Sequence, residues 1–146
     1  MRGLIFSFPE RLRDAGLLIM RIGLGCSFMV HGWPKITGGI EFWGQIGGAL
    51  ENFGIGFFPV FWGFMASCSE FIGGLLLVFG LLTRPACLSL AFTMAVATSF
   101  HLFSGDNFGI YSHALKMLVV FLALALIGPG RLSLDWKIFG KPEKAE

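Results

Sequence analysis

Four long apolar runs, separated by short polar or glycine-rich stretches, set the plan of this chain. They cover residues 15–33, 59–82, 85–103 and 110–127. Each is close to the roughly 20 residues that a helix needs to cross the hydrocarbon of a bilayer. Backbone groups in hydrocarbon must find their hydrogen bonds internally, so these runs predict helices rather than strands. Between the first and second runs, in "EFWGQIGGALENFG", Phe42, Ile46, Leu50 and Phe53 recur at helical spacing. Glu41, Gln45, Glu51 and Asn52 mostly fall on other faces. That pattern predicts a short helix lying at the membrane surface, with an ordered loop as the alternative because of its glycines.

The punctuation fits these limits. Gly38 and Gly39 follow the first run, and "LLTRPA" makes a tight turn between the second and third, with Pro85 suited to a first helical turn. "SGDNFG" separates the third and fourth, and "GPGRLSLD" stops the fourth. The expected fold is therefore all-α: one four-helix transmembrane domain over residues 1–146, with an interfacial helix between its first two spans.

Composition strengthens the membrane reading. Apolar residues make up 55% of the 146 and charged residues 14%, with 17 phenylalanines. A globule this small cannot hide so much apolar surface, so the lipid bilayer is the first expected partner. A net charge of +2 gives no reason to expect nucleic acid. Cys26, Cys68 and Cys87 are far apart in apolar segments and read as small hydrophobes, with a Cys26–Cys68 redox pair as the alternative. Arg2, Arg11 and Arg13 precede a long apolar run with no small-x-small cleavage pattern, which reads as a retained signal anchor.

Charge position predicts orientation. Arg2, Arg11, Arg13, Arg84, Arg131, Lys137, Lys141 and Lys144 fall on one side of the bundle, and Lys35 and Lys116 on the other. The positive-inside rule then places both termini and the Arg84 turn in the cytoplasm.

The chemistry resides in the few ionisable residues inside the spans. Glu70 is near the midplane of the second, and Arg21 lies within the first. His31, His101 and His113 lie on three different spans at one level, toward the outer side. Lys35 shares a face with His31, and Lys116 with His113; Thr98 pairs in the same way with His101, and Ser67 with Glu70. Intramembrane charges normally face the bundle interior and find partners. The expected arrangement is a polar funnel that opens at the histidines and Lys35, passes Lys116 and ends at Glu70 above Arg21. Arg21 or Lys116 is expected to neutralise Glu70. The plainer readings are a purely structural Glu70 pair, an Arg21 that snorkels to the headgroups, and interfacial histidines.

The chain resembles the DoxX family of membrane proteins. The resemblance rests on "RIGLGCSFMVHGWPKITGG", "EFIGGLLLVFGLLTRPACLSL" and the closing "GPGRLSLD", in that order over nearly the whole length. It implies a bacterial or archaeal four-helix protein of the plasma membrane, with quinone-linked redox chemistry. The polar positions that match are Arg21, His31, Gly32, Lys35, Glu70, Arg84, Gly128, Pro129, Gly130 and Asp135. Many relatives carry an acidic residue where this chain has Lys116.

From this follows a quinone- or small-redox-molecule-binding subunit of a membrane oxidoreductase or redox-stress system. Glu70, His31 and His101 are its candidate proton-handling groups. Arg21, His31, Lys35, Glu70, His101, His113 and Lys116 are the candidate ligand contacts. No electron-carrying motif is visible, so a redox partner protein or a separate cofactor is expected to deliver electrons. The competing readings are haem or transition-metal binding by His31, His101 and His113, a non-catalytic assembly or stress-response partner, and a transporter built from a homo-oligomer.

Overall fold

In a computed structural model, which describes residues 10–140, every regular element is helical. Arg2, Lys141 and Lys144, used above for orientation, lie outside the described residues, as does the start of the signal anchor. The spanning helices are α1 (Glu10–Ile36), α3 (Pro59–Phe79), α4 (Thr83–Phe103) and α5 (Phe108–Ile127). Among the described residues two shorter helices join them, α2 (Gly39–Gly47), continued by a 3₁₀ stretch over Gly48–Phe53, and α6 (Leu134–Phe139). The segment after the first span is thus helical, as its periodicity predicts.

The four long helices have the length and apolarity to cross a membrane, and at most 33% of each apolar window is buried inside the bundle. The rest, including Ile19, Val30, Phe92 and Leu126, faces outward, where lipid is the matching solvent. The core between the helices is small. Phe28 of α1 meets Phe121 of α5 edge to face at 4.8 Å, with Leu77, Leu90 and Leu124 fully buried around them.

Glycine sets the register of α1 on α3. A Cβ on Gly25 would lie 2.6 Å from the Gly74 oxygen, and one on Gly32 would lie 2.6 Å from the Phe71 nitrogen. Only glycine lets the two backbones come this close, and close van der Waals packing holds helices together where lipid removes the hydrophobic drive. The helices run antiparallel, with Gly32 level with Glu70–Phe71 and Gly25 level with Gly74–Val78. α2 packs on the first turns of α3 in the same way, with Gly63 against the Trp43 carbonyl and Gly47 against the Pro59 carbonyl.

Several helix limits differ from the apolar runs. α1 begins at Glu10 and continues past Pro34 to Ile36, because a proline in the last turn forfeits only one backbone donor. α3 stops at Phe79 rather than residue 82. Gly80 takes φ +64° there, and the amides of Gly80 and Leu81 donate to Leu77 and Leu76 in a Schellman cap.

Candidate functional site

The register of α1 on α3 decides where each intramembrane charge goes. Lys35 lies one turn beyond Gly32, so its side chain reaches back to Glu70. Nζ donates to Glu70 Oε1 at 2.7 Å. The carboxylate is buried, with only 4% of the side chain exposed, whereas Lys35 is about one-third exposed. The backbone of Lys35 is fixed as well, since Trp43 Nε1 on α2 donates to its carbonyl at 2.9 Å.

Lys35 thus does what was expected of Arg21 or Lys116. Arg21 lies opposite Gly80, ten residues from Glu70 along α3, or ~15 Å of helix. Its depth is misjudged when α1 is counted from its first apolar residue instead of from its contact with α3. Arg21 is wholly buried, donates to the carbonyls of Leu77 and Leu132, and feels the Asp135 carboxylate. It neither snorkels nor meets Glu70. Lys116 is exposed on α5 and lies outside the cavity described below.

Arg21 belongs to a latch at the end of the bundle where the described chain starts and stops. The Asp135 carboxylate accepts from the amides of Leu82 and Thr83, at 2.7 and 2.8 Å. It thereby caps the start of α4, where Leu82 is held at φ +47°. The Asp135 amide donates to the Gly80 carbonyl at 2.8 Å. Buried Asp14 on α1 accepts from the Arg131 amide at 3.0 Å, and Ser133 caps α6 through the Trp136 amide. The "GPGRLSLD" motif therefore ties the closing segment to α1 and to the α3–α4 turn.

At the other end, a cavity of about 480 Å³ opens between α3, α4 and the α2–3₁₀ segment. Its walls are mainly apolar: Ile46, Leu50, Phe61, Met65, Phe92, Val96 and Phe100. The polar groups are few: Lys35, Gln45, Trp62, Ser69, Glu70, Ser89, Thr93 and His101. An apolar cleft with a small number of convergent polar groups is the usual form of a small-molecule site. Two of these groups have buried atoms without a hydrogen-bond partner, Glu70 Oε2 and Trp62 Nε1. Unmet donors and acceptors are costly in an apolar setting, which makes both atoms natural contacts for a ligand.

His101 lines the cavity near the end of α4, and its Nδ1 is 2.8 Å from Asp106 Oδ2. That contact orients the ring and leaves Nε2 for other partners. His31 and His113 do not join it. Both are exposed, outside the cavity lining, with ring centroids 6.4 Å apart across α1 and α5. The expected three-histidine level therefore divides into a pair on one face and a single ring on another. Among the described residues, no group of three His, Cys, Asp or Glu side chains is placed to hold a metal ion.

Ser67 and Thr98, which share faces with Glu70 and His101, bond back to carbonyls of their own helices, Gly63 and Met94. The cavity instead uses Ser69, whose hydroxyl accepts from Ser89 at 2.8 Å and lies 3.2 Å from that of Thr93. Sequence reasoning leaves Ser69, Ser89 and Thr93 unremarked. Their only trace in the sequence is hydroxyl residues near the middle of two apolar helices. The three cysteines are free, with Cys26 exposed and Cys87 buried, so no disulfide joins Cys26 to Cys68.

The comparisons with known proteins agree with this architecture. The DoxX family model matches residues 16–102. The inner membrane protein YqjF of Escherichia coli is 36% identical over 129 residues, covering 86% of this chain and 94% of that protein. A Bacillus subtilis protein named "Putative oxidoreductase CatD" is 31% identical over 129 residues, covering 86% of this chain and 89% of that protein. The inner membrane protein YphA of Escherichia coli is 29% identical over 134 residues, covering 84% and 90% respectively. No solved structure matches. With a family match over more than half its length, and the four apolar helices and α1–α3 register to accompany it, this chain is a member of the DoxX family.

Proposed function

We propose that this chain is the membrane subunit of an oxidoreductase and that it binds a quinone or a similar small redox molecule in the α3–α4 cavity. The observation that carries the reading is Glu70. Its Oε1 is held by Lys35, while its Oε2 is buried without a partner in the wall of an apolar cavity. The name of the Bacillus subtilis relative is consistent with redox chemistry.

The residues present suit such a ligand. Trp62 Nε1–H is a donor for a quinone carbonyl, and Glu70 Oε2 an acceptor for a hydroxyl of the reduced form. Lys35 pairs with the carboxylate and orients it. His101, steadied by Asp106, is the group at the cavity wall able to pass a proton. A bound quinone supplies two-electron chemistry; the electrons come from a redox partner protein. In this reading the bundle lies in the plasma membrane with both termini cytoplasmic; the inner-membrane relatives support the membrane, and the charge asymmetry supports the orientation.

The test is binding by the purified protein. Lipid extraction should recover co-purifying quinone, and added short-chain quinone should raise the thermal unfolding temperature of the wild type. The Lys35→Met variant should lose most of that shift. Absence of both co-purified quinone and any quinone-dependent shift would remove this reading.

A further inference from the structure

The cavity has a direction. On α4 it is lined from His101 down to Ser89, a length of ~18 Å at 1.5 Å per residue. Its partner-seeking atoms, Glu70 Oε2 and Trp62 Nε1, come from α3. Toward Ser89 the character changes. Ser89 is exposed and Phe92 is 60% exposed, about a third to half of the way along a helix that crosses the membrane. At that depth of a helix long and apolar enough to span a bilayer, the surroundings are hydrocarbon rather than water.

A site meant only for a water-soluble ring would be closed at this depth. Polar hydroxyls exposed to hydrocarbon are costly, and Ser89 is retained there in a bond to Ser69 across α3 and α4. The volume of about 480 Å³ also exceeds what one unsubstituted ring fills, since whole drug-sized ligands occupy sites of roughly 300–1,000 Å³.

We infer that the cavity is a sideways port for a membrane-dissolved amphiphile: its polar ring sits against Glu70 and Trp62, and its alkyl tail leaves between α3 and α4, past Phe92 and Ser89, into the lipid. This deepens the proposed function and rests on it. The substrate class is then an alkyl-tailed, quinone-like lipid that reaches the site from within the bilayer. The Ser89–Ser69 contact bridges α3 and α4 beneath that path and forms the floor over which the tail passes.

Two probes that share one ring separate the possibilities, a dimethoxy-methyl-benzoquinone and the same ring with a decyl tail. Affinities are measured by thermal shift in nanodiscs for the wild type and for Ser89→Trp, which places bulk where the tail leaves. The variant should weaken the decyl probe at least tenfold more than it weakens the bare ring. Comparing the variant with the wild type for each probe cancels that probe's partition into lipid. Equal weakening of both probes, or of neither, would overturn the sideways port and leave the ring site standing. Failure of the wild type to bind either probe would overturn the ring site and the port together.

A second measurement does not depend on the variant folding. A decyl quinone with a photoreactive diazirine at the tail end should label wild-type residues around Ser89 and Phe92. Label confined to the α1–α5 face, or spread evenly over all outward faces, would contradict the port.

Discussion

Glu70 is tolerable inside the bundle because Lys35 lies one turn away in space, although 35 residues away in sequence. Removing one partner of a buried pair is far more harmful than removing both, because it leaves a charge without compensation. Lys35→Met should therefore cost about 3 kcal/mol of stability. The Lys35→Met/Glu70→Leu double variant should recover much of that loss. Reversible unfolding in detergent, read as a double-mutant cycle, checks this; additive losses would mean that the pair is not coupled. The sequence marks Glu70 as the residue to explain, but it sets Lys35 at the mouth of the funnel and offers Arg21 or Lys116 as the partner. The pairing with Lys35 depends on helix register, which the sequence does not reveal. Nor can it separate His101 from His31 and His113, since equal depth says nothing about which side of a helix faces which neighbour.

Register itself is a property of elements, and here glycine sets it. Gly63 packs against the Trp43 backbone, and Gly25 and Gly74 face each other across α1 and α3. A side chain at any of these positions meets backbone, which cannot swing aside. Gly74→Val should force α1 and α3 apart and lower the unfolding temperature sharply. Gly16→Ala, also in α1, meets open space and should be neutral or stabilising by about 0.5–1 kcal/mol through its helix propensity. Paired thermal melts test the contrast; similar losses for both would mean that the crossing is not tight. At the other end, Asp135→Ala removes both capping bonds at the start of α4 and should cost about 1–2 kcal/mol. Hydrogen exchange at Leu82 and Thr83 should rise with it, and unchanged exchange would refute the cap. The helices themselves are legible because twenty apolar residues have few alternatives in lipid. Their limits are less so, since Gly80 ends α3 inside a run that remains apolar through Leu82.

The whole molecule separates two tasks along its axis. One end is a latch in which Arg21, Asp14 and the closing motif bind α1, α3 and α4 to one another. The other end holds the cavity with Lys35, Glu70 and His101. The residues that carry the family resemblance fall into both groups, so their presence marks architecture as much as chemistry. An even number of spans returns the closing segment to the side on which the first span starts. A green fluorescent protein fused at the C-terminus should fluoresce in a bacterial host, as a cytoplasmic fusion does, and a dark fusion with an active periplasmic reporter would reverse the orientation. The most direct test of the account is the affinity of one short-chain quinone for the wild type, for Glu70→Ala and for His31→Ala/His113→Ala. A quinone held at Glu70 requires at least a tenfold loss with Glu70→Ala and wild-type affinity for the double histidine variant. Wild-type binding by Glu70→Ala, with binding lost in the histidine variant, would contradict it.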